Sequence, residues 1–550
     1  MLRTQWPWWL WCAAAGGLQA LALAWPSGGD WAEPQPVAQG LAMAALVWAV
    51  GRAPLWLDAA ARAALFSVAW LAGTFWWLVV SMHVYGGLPA PLAVAAVLGL
   101  AACLALYTTG AALLWWAWVQ RMGLGLRAVL LWAALWSAAE LLRGSWFTGF
   151  PWGAVGYAHG GLWAGWAPWL GVYGVGGLAA AVAALWGVAL LRCGHQRRAC
   201  WGWLTAALAL PVAIGALSGP LHRVALSHTA AHGELQVRLL QGNIAQDQKF
   251  DPGTGVDTAM RWYPEQLAAA LAPGAAQPDL VVMPETALPL LPHQVDDAWW
   301  QSLLQTVAES RVDGGAGGAL LMGVPLGSFE AGYTNSAWGL EPQQAERALD
   351  QAAASSAREA VLAAPFYRYD KHHLVPFGEF IPPLFRWFTD LMHIPLGDFQ
   401  RGALVQPVWH WAGQRVAAHI CYEDLFGEEL VAQFAQAHPP TVLINLSNIA
   451  WFGNTVAIDQ HLHIARWRAL ELGRPVVRST NTGATVVIDH RGRVQAALAR
   501  HTRGVLDAAV QGRQGLTPYA QWAGRWGLWP LWAVIALVCL LCAAALRRRP

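Results

Sequence analysis

"VAAHICYEDLFGEEL" (residues 416–430) carries a short apolar run, Val416 to Ile420, that stops on Cys421. Tyr422, Glu423 and Asp424 follow, and then what reads as the first turn of a helix. A strand that turns straight into a helix is the building unit of α/β sheets. Cys421 stands at that corner. The other six cysteines (Cys12, Cys103, Cys193, Cys200, Cys539, Cys542) lie in or beside long apolar runs, where small apolar packing is their plain reading.

Outward from the corner, apolar β-branched runs alternate with helical patterns. Candidate strands are 237–243, 279–285, 319–325, 334–340, 416–421, 441–448 and a pair across 476–498. Candidate helices are Thr258 to Leu271, Asp297 to Val312, Gly427 to Ala437 and Ala457 to Leu472, the last with Arg466 and Arg468 turned away from its apolar face. The Ala-, Gln- and Glu-rich stretch 341–364 reads as a surface helical insertion or a mobile loop. No glycine-rich phosphate loop follows a strand.

This α/β stretch is set in a much greasier chain. Of 550 residues, 56% are hydrophobic and only 12% charged, against about 25% charged in soluble proteins. The net charge of +2 gives no basic field for nucleic acid. Eight runs approach the roughly 20 apolar residues a membrane helix needs: 6–25, 37–51, 63–82, 90–118, 126–142, 166–191, 201–219 and 527–546. The layout is a membrane domain over 1–225, a soluble domain over 235–505 and a closing span over 527–546. The first run is read as a span, since further spans follow directly and no small-residue cleavage site is evident.

Arginines orient the spans. Arg3, Arg52 and Arg62, Arg121 and Arg127, Arg192, Arg197 and Arg198, and Arg547 to Arg549 fall on one side. The alternate loops carry Asp30, Glu33 and Arg143. The positive side is cytoplasmic, so both termini lie in the cytoplasm and the soluble domain outside it. That compartment is oxidising, and cysteines there usually pair. The single soluble thiol, Cys421, is therefore either an accident or a nucleophile.

Three strand ends could supply chemistry. "VVMPETALP" (281–289) delivers Glu285 after a strand-stopping proline. "YRYDKHHLVPFGEFIPP" (367–383) holds Lys371 and Glu379. The corner holds Cys421. A carboxylate base, a cation and a thiol could serve nucleophilic attack on a carbonyl, with helix N-terminal amides and a nearby ammonium favouring the thiolate. Each residue also has a plainer reading: Glu285 as a helix-starting carboxylate, Lys371 as a solvated lysine, Glu379 as its ion-pair partner. His461 and His463 are two apart rather than four and would diverge, which disfavours zinc. No other metal or cofactor is called for.

The residues Glu285, Lys371 and Cys421 resemble the Glu–Lys–Cys triad of the nitrilase (carbon–nitrogen hydrolase) superfamily. "LLRGSWFTGFPWGAVGY" (141–157), "LVPFGEFIP" (374–382), "ICYEDLFGE" (420–428), "AWFGNT" (450–455), "HIARWRALELGRPVVRSTNTG" (463–483) and "GLTPYA" (515–520) resemble its membrane-bound branch, the apolipoprotein N-acyltransferases. The resemblance implies an eight-span α-helical bundle plus an extracytoplasmic α/β domain, a nitrilase-like αββα sandwich. It implies a monomer in the bacterial inner membrane with a periplasmic catalytic domain.

The implied reaction moves an acyl chain from a phospholipid, through a Cys421 thioester, to the α-amine of a diacylglyceryl apolipoprotein. Glu285 is then the base and Lys371 the oxyanion stabiliser. Glu379 is a further site carboxylate, and Tyr422, Glu423 and Asn335 support the site. Trp387 and Phe388, in the apolar stretch 382–399, with Phe250 and Trp451, would line lipid access at the bilayer surface, and "GSWFTGFPWG" (144–153) would add to the entrance. Ile449 stands where the family commonly has an acid, and Phe250 where it usually has tryptophan. A membrane-tethered amidase acting on a small amide is the alternative enzyme. A transporter is disfavoured, since the spans carry few charges and no paired broken helices.

Overall fold

The computed structural model describes the chain apart from residues 1–6, 27–28, 194–199, 273, 275, 312–314, 354, 382–397 and 548–550. Two compact units emerge. One comprises Met1–Val79, Pro89–His228 and Thr517–Pro550, the other Val80–Leu88 and Thr229–Leu516.

In the first unit every apolar run is helical: Trp8–Leu21, Pro36–Gly51, Trp56–Phe75, Ala90–Met122, Leu126–Ser145, Ala167–Cys193, Cys200–Ser227 and Trp529–Arg547. Among the described residues four helices, Ala90–Met122, Ala164–Cys193, Cys200–Ser227 and Trp529–Arg547, are long and apolar enough to cross a membrane. A fifth qualifies if Trp56–Phe75 and Leu78–Tyr85, bent by 60°, form one broken span. Pro36–Gly51 has 16 residues, about 24 Å at 1.5 Å per residue and short of a roughly 30 Å hydrocarbon core.

Close backbone approach and indole stacking hold these helices together. A Cβ on Gly16 would meet the Phe66 carbonyl at 2.3 Å, so only glycine lets those two helices touch there. The rings of Trp70, Trp136 and Trp132 stack in succession at 5.7 and 5.9 Å. Buried Arg143 donates to the carbonyls of Phe150 and Trp152 at 2.8 and 2.7 Å, and buried Glu140 accepts the Val155 N–H at 2.9 Å. These bonds satisfy an irregular segment that would otherwise leave main-chain groups unpaired among apolar helices. At its tip Phe147 is 91% exposed.

The second unit is built on two six-stranded sheets. Their orders are β12-β1-β2-β3-β4-β5 and β11-β10-β9-β8-β7-β6. In the first, β1 (Thr229–Gln241), β2 (Leu280–Val282) and β3 (Ala319–Ser328) run parallel, with β4 (Gly332–Leu340), β5 (Tyr367–Asp370) and β12 (Gly504–Gly515) antiparallel at the edges. In the second, β7 (Gln414–Ile420), β8 (Val442–Ser447) and β9 (Val476–Thr480) run parallel, flanked by β6 (Trp409–Trp411), β10 (Val486–Ile488) and β11 (Val494–Ala497).

Alternating side chains of both sheets, among them Val237, Leu239, Val282, Leu321, Ala418, Ile444, Leu446 and Val477, share one apolar cluster. The opposite face of the first sheet packs on the helices Gly255–Leu271 and Asp297–Ala308 through Leu267, Leu271, Trp300, Leu303 and Val307. Helix Ala457–Leu472 is buried along nearly all its length.

Two readings change. The 341–364 stretch is helical, as one of its two readings has it, but one face of it is built into the core. It forms helices Pro342–Ala352 and Ala357–Ala363, whose Ala345, Ala348, Ala357, Ala360 and Val361 join the core. The Gly427 to Ala437 helix is only one turn, Gly427–Leu430, followed by a 3-10 turn, Val431–Ala435. Arg468 does lie off the apolar stripe, yet it is fully buried beside Glu471, with 3.0 Å between charged atoms.

Candidate active site

The carboxyl ends of parallel strands are where open α/β sheets place their ligands. Glu285 follows β2 within three residues, Lys371 follows β5 directly, Cys421 follows β7 and Asn448 follows β8. Two of these turns have left-handed backbone: Cys421 has φ 52° and Thr286, next to Glu285, also φ 52°. Such conformations cost non-glycine residues roughly 1–3 kcal/mol each. Gly323 on β3 makes the second turn possible. A Cβ there would lie 2.5 Å from the Pro284 carbonyl and 2.6 Å from the Glu285 Cα.

A buried charge cluster results. Lys371, fully buried, donates to Glu285 Oε1 at 3.2 Å and to Glu379 Oε1 at 2.9 Å. Asn335 Nδ2 donates to the same two oxygens at 2.7 and 2.6 Å. Glu285 Oε2 accepts the Asn448 main-chain N–H at 2.8 Å, and Glu379 Oε2 that of Val375 at 2.8 Å. An ammonium has three donors, so Lys371 keeps one beyond its two carboxylates. Burial alone would lower the Lys371 amine, but Glu285 and Glu379 outweigh it and hold the amine above its ordinary range.

Cys421 faces the same charges. Burial pushes its thiol up to about 12, and the Glu285 charge adds to that; Lys371, with the Ser447 hydroxyl and the Asn448 amide, pulls it back only in part. The expectation of helix N-terminal help is not met. Cys421–Leu425 is a single 3-10 turn, and the N–H of Ile420 is taken by Glu423 Oε2 at 2.6 Å. Burial and the Glu285 charge together favour the protonated thiol.

Glu423 and Tyr422 turn away from that chemistry. Besides Ile420, the Glu423 carboxylate accepts the N–H groups of His372 and His373 at 2.7 and 3.1 Å and the Tyr369 hydroxyl at 2.8 Å. It ties the segment after Lys371 to the end of β7. Tyr422 is buried, its ring against Phe426 at 5.2 Å and His373 at 5.6 Å. Trp451 meets Tyr85 edge-on at 6.1 Å, and Phe250 is half-buried. Ile449 is buried with its Cγ2 over Gly483, where a Cβ would come within 2.4 Å. Trp387 and Phe388 lie outside the described residues.

Several contributors escape a reading of the sequence. Lys249, buried, donates to the Glu285 carbonyl at 3.0 Å. Asn448 Nδ2 donates to Gln246 at 2.8 Å, and Asn481 Nδ2 to Asn448 at 3.2 Å. Behind the thiol, buried Asp424 binds Arg478 and, at 2.7 Å, His419. His461 Nε2 reaches the Cys421 carbonyl at 3.2 Å, while His463 turns to Arg466. The one signal for them is polar density in otherwise apolar runs, such as Asn445, Ser447 and Asn448 in "TVLINLSN". Among the described residues no group of His, Cys, Asp and Glu is placed to hold a metal ion.

A family model described as the apolipoprotein N-acyltransferase N-terminal domain matches residues 15–185, and one for carbon-nitrogen hydrolase matches 331–519. An apolipoprotein N-acyltransferase of Verminephrobacter eiseniae is 49% identical over 537 residues, 94% of this chain and 92% of that protein. The chain belongs to the apolipoprotein N-acyltransferase family. A second member, from Ralstonia nicotianae, is 45% identical, covering 88% of this chain and 85% of its own. Among solved structures, an amidase from Nesterenkonia sp. aligns over 53% of this chain and 93% of its own, at 18% identity and a TM-score of 0.34. Kinship with acyltransferases along nearly the whole chain, membrane helices included, favours acyl transfer over small-amide hydrolysis.

Proposed function

We propose that this chain transfers an acyl group from a membrane phospholipid to the α-amine of a lipoprotein's N-terminal diacylglyceryl-cysteine, in two half-reactions through Cys421. Glu285 takes the thiol proton as sulfur attacks the ester carbonyl, and the free Lys371 donor holds the resulting oxyanion. Collapse releases the lysophospholipid, which leaves with the proton from Glu285. The amine then attacks the thioester, Glu285 takes its proton, and the amide leaves as Cys421 is restored. Glu379 and Asn335 orient Lys371 and Glu285. Glu423 and Tyr422 fix the main chain around them.

One observation carries the reading: a buried carboxylate and ammonium, 3.2 Å apart, whose charges bear on a half-buried thiol at a strained strand end, in a chain of this family. Both substrates are lipid-anchored, which accounts for a catalytic unit joined to an apolar bundle. The eight helical runs and their arginines support eight spans, cytoplasmic termini and a catalytic unit on the periplasmic face of the inner membrane.

The test is mass spectrometry of the purified protein after incubation with phospholipid, then after adding a diacylglyceryl peptide. The acyl mass should reside on the Cys421 peptide and move to the peptide amine. Release of ammonia from small amides, with the amine left free, would refute the reading.

A further inference from the structure

His461 takes no part in the two half-reactions, yet it bonds the main chain of the nucleophile. It lies near the start of the helix Ala457–Leu472 and is 1% exposed. One ring nitrogen, Nε2, stands 3.2 Å from the Cys421 carbonyl oxygen. The other, Nδ1, stands 3.2 Å from Nη2 of Arg478 on β9. A carbonyl only accepts hydrogen bonds and a guanidinium only donates them. The two contacts together admit one form of the ring, neutral with its proton on Nε2. An imidazolium would aim an N–H at the Arg478 guanidinium. Burial, and after it the Arg478 charge, hold the imidazole down to about 3, against the pull of Asp424 and the Cys421 carbonyl.

Arg478 is itself fixed in place. Its Nη1 pairs with buried Asp424, which also accepts Nε2 of His419 at 2.7 Å. Burial opposes the Asp424 charge, but Arg478 and His419 outweigh it and hold the carboxyl well below its ordinary range. Asp424 Oδ2 stands 3.5 Å from His461 Nε2, farther than the Cys421 carbonyl. A chain of contacts thus runs from Asp424 through Arg478 and His461 to the main chain of Cys421, all within the catalytic unit.

That main chain needs holding. With φ at 52°, Cys421 has left-handed backbone, a conformation that persists in a residue with a Cβ only when its surroundings impose it. The backbone angles also set where the Cα–Cβ bond points, and so where the sulfur stands relative to Glu285 and Lys371. Asn445 Nδ2 gives the same carbonyl a longer bond, 3.4 Å.

We propose that His461, its proton fixed on Nε2 by Arg478, is a positioning residue for acyl transfer, which holds the left-handed main chain of Cys421 and keeps the thiol turned toward Glu285 and Lys371. This rests on the role proposed for Cys421 in acyl transfer.

Two substitutions separate the two bonds of the ring. His461→Gln sets an amide N–H near the place of Nε2 and keeps the donor to Cys421. His461→Asn, one carbon shorter, keeps an acceptor near Nδ1 for Arg478 and loses that donor. Acyl loading of Cys421 from phospholipid is followed by single-turnover mass spectrometry on the full chain, with thermal unfolding in detergent as the check on the fold. His461→Asn should load about 10–100-fold more slowly than wild type at an unchanged half-saturating phospholipid concentration, and His461→Gln should lie within about threefold of wild type. If His461→Asn folds poorly, His461→Met, which has similar length and no N–H, takes its place and should load as slowly.

Equal rates in the Gln and Asn variants, or a slower Gln variant, overturn the proposal, because the donor to Cys421 would then not govern the rate. A raised half-saturating concentration at an unchanged maximal rate overturns it as well. Absence of acyl loading on wild-type Cys421 instead overturns the functional reading on which it rests.

Discussion

Replacing Lys371 with methionine removes the cation that bonds two buried carboxylates, and its consequences can be worked out before they are measured. Lys371 is fully buried and bonds both Glu285 and Glu379. Removing one partner of a buried ion pair costs about 3–5 kcal/mol, because the remaining charge stays buried and uncompensated. At about 2–4 °C per kcal/mol, the catalytic unit of Lys371→Met should unfold roughly 6–20 °C lower.

The pH dependence carries the sharper test. Without the ammonium, Glu285 and Glu379 share the single Asn335 amide at 2.7 and 2.6 Å, and like charges so close raise one carboxyl above its ordinary value of about 4.3. A carboxyl raised in the fold contributes stability at low pH, and that is lost as pH climbs through the folded value. Wild-type Lys371 behaves otherwise. Its amine is held up, so its contribution is whole below the ordinary lysine value and is lost only above it. The deficit of the variant should therefore widen from pH 5 to pH 8. Adding Glu379→Gln removes the repulsion and should recover part of the loss. Acyl loading should stay about 10²–10³-fold slow in both variants, since the proposed oxyanion donor is missing. Thermal unfolding in detergent at matched scan rate reads the first effect, and single-turnover loading of Cys421 reads the second. An unfolding temperature within about 2 °C of wild type at pH 8, or a larger deficit at pH 5, would show that the Glu285–Lys371–Glu379 ion cluster does not exist.

Other expectations follow from the same contacts. Asn335→Ala strips one donor from each carboxylate and should slow acyl loading about 10–100-fold with little change in KM, measured by single turnover over a range of phospholipid concentrations. Glu423→Ala leaves three main-chain N–H groups and the Tyr369 hydroxyl without their acceptor. It should cost about 2–4 kcal/mol in thermal unfolding, whereas Glu423→Gln, which keeps one acceptor oxygen, should cost less. Glu285→Gln should split two readouts. The Cys421 thiol loses a neighbouring negative charge, so its alkylation midpoint should fall from the alkaline range, while turnover disappears for lack of a base. A midpoint that rises would contradict the coupling of the thiol to Glu285.

Parts of this site are legible in the sequence for identifiable reasons. A strand buried on both faces reads as an unbroken apolar run, so β3, β7 and β8 are visible, and with them the strand end that carries Cys421. Helix Ala457–Leu472 matches its expected limits because its apolar stripe is long. β12 escapes the pattern, although it is twelve residues long, because it pairs along the exposed edge of β1 and alternates Asp507, Gln511 and Arg513 with small residues. β5 and β6 are too short to show a period. The supporting contacts around Cys421 are illegible for another reason. Lys249 reaches Glu285 across thirty-six positions, Asn448 across 163 and Asn481 reaches Ile244 across 237, and local pattern holds no trace of such distances. The half-buried setting of the thiol and the Glu285 charge beside it are likewise invisible, which is why the helix-dipole argument gives the wrong direction for its acidity.

That reversal bears on how such a site should work. A thiol pushed up by burial reacts slowly with oxidants and adventitious electrophiles until a base takes its proton. In the proposed reaction, nucleophilicity is then created during the encounter with the ester. The structure has the parts for this. Glu285 Oε1 is engaged by Lys371 and Asn335, whereas Oε2 carries the Asn448 amide and has capacity for a second donor. A proton arriving on Oε2 would weaken the Glu285–Lys371 attraction at the moment an oxyanion forms. The ammonium would then be drawn toward the new anion rather than the old one. Charge is exchanged among groups that are already in place, so little reorganisation is required within the buried site. The strained φ of Cys421 and Thr286 fits this picture. Asn445 and His461 bond the Cys421 carbonyl and Lys249 bonds the Glu285 carbonyl, so both turns are fixed from other elements of the same unit.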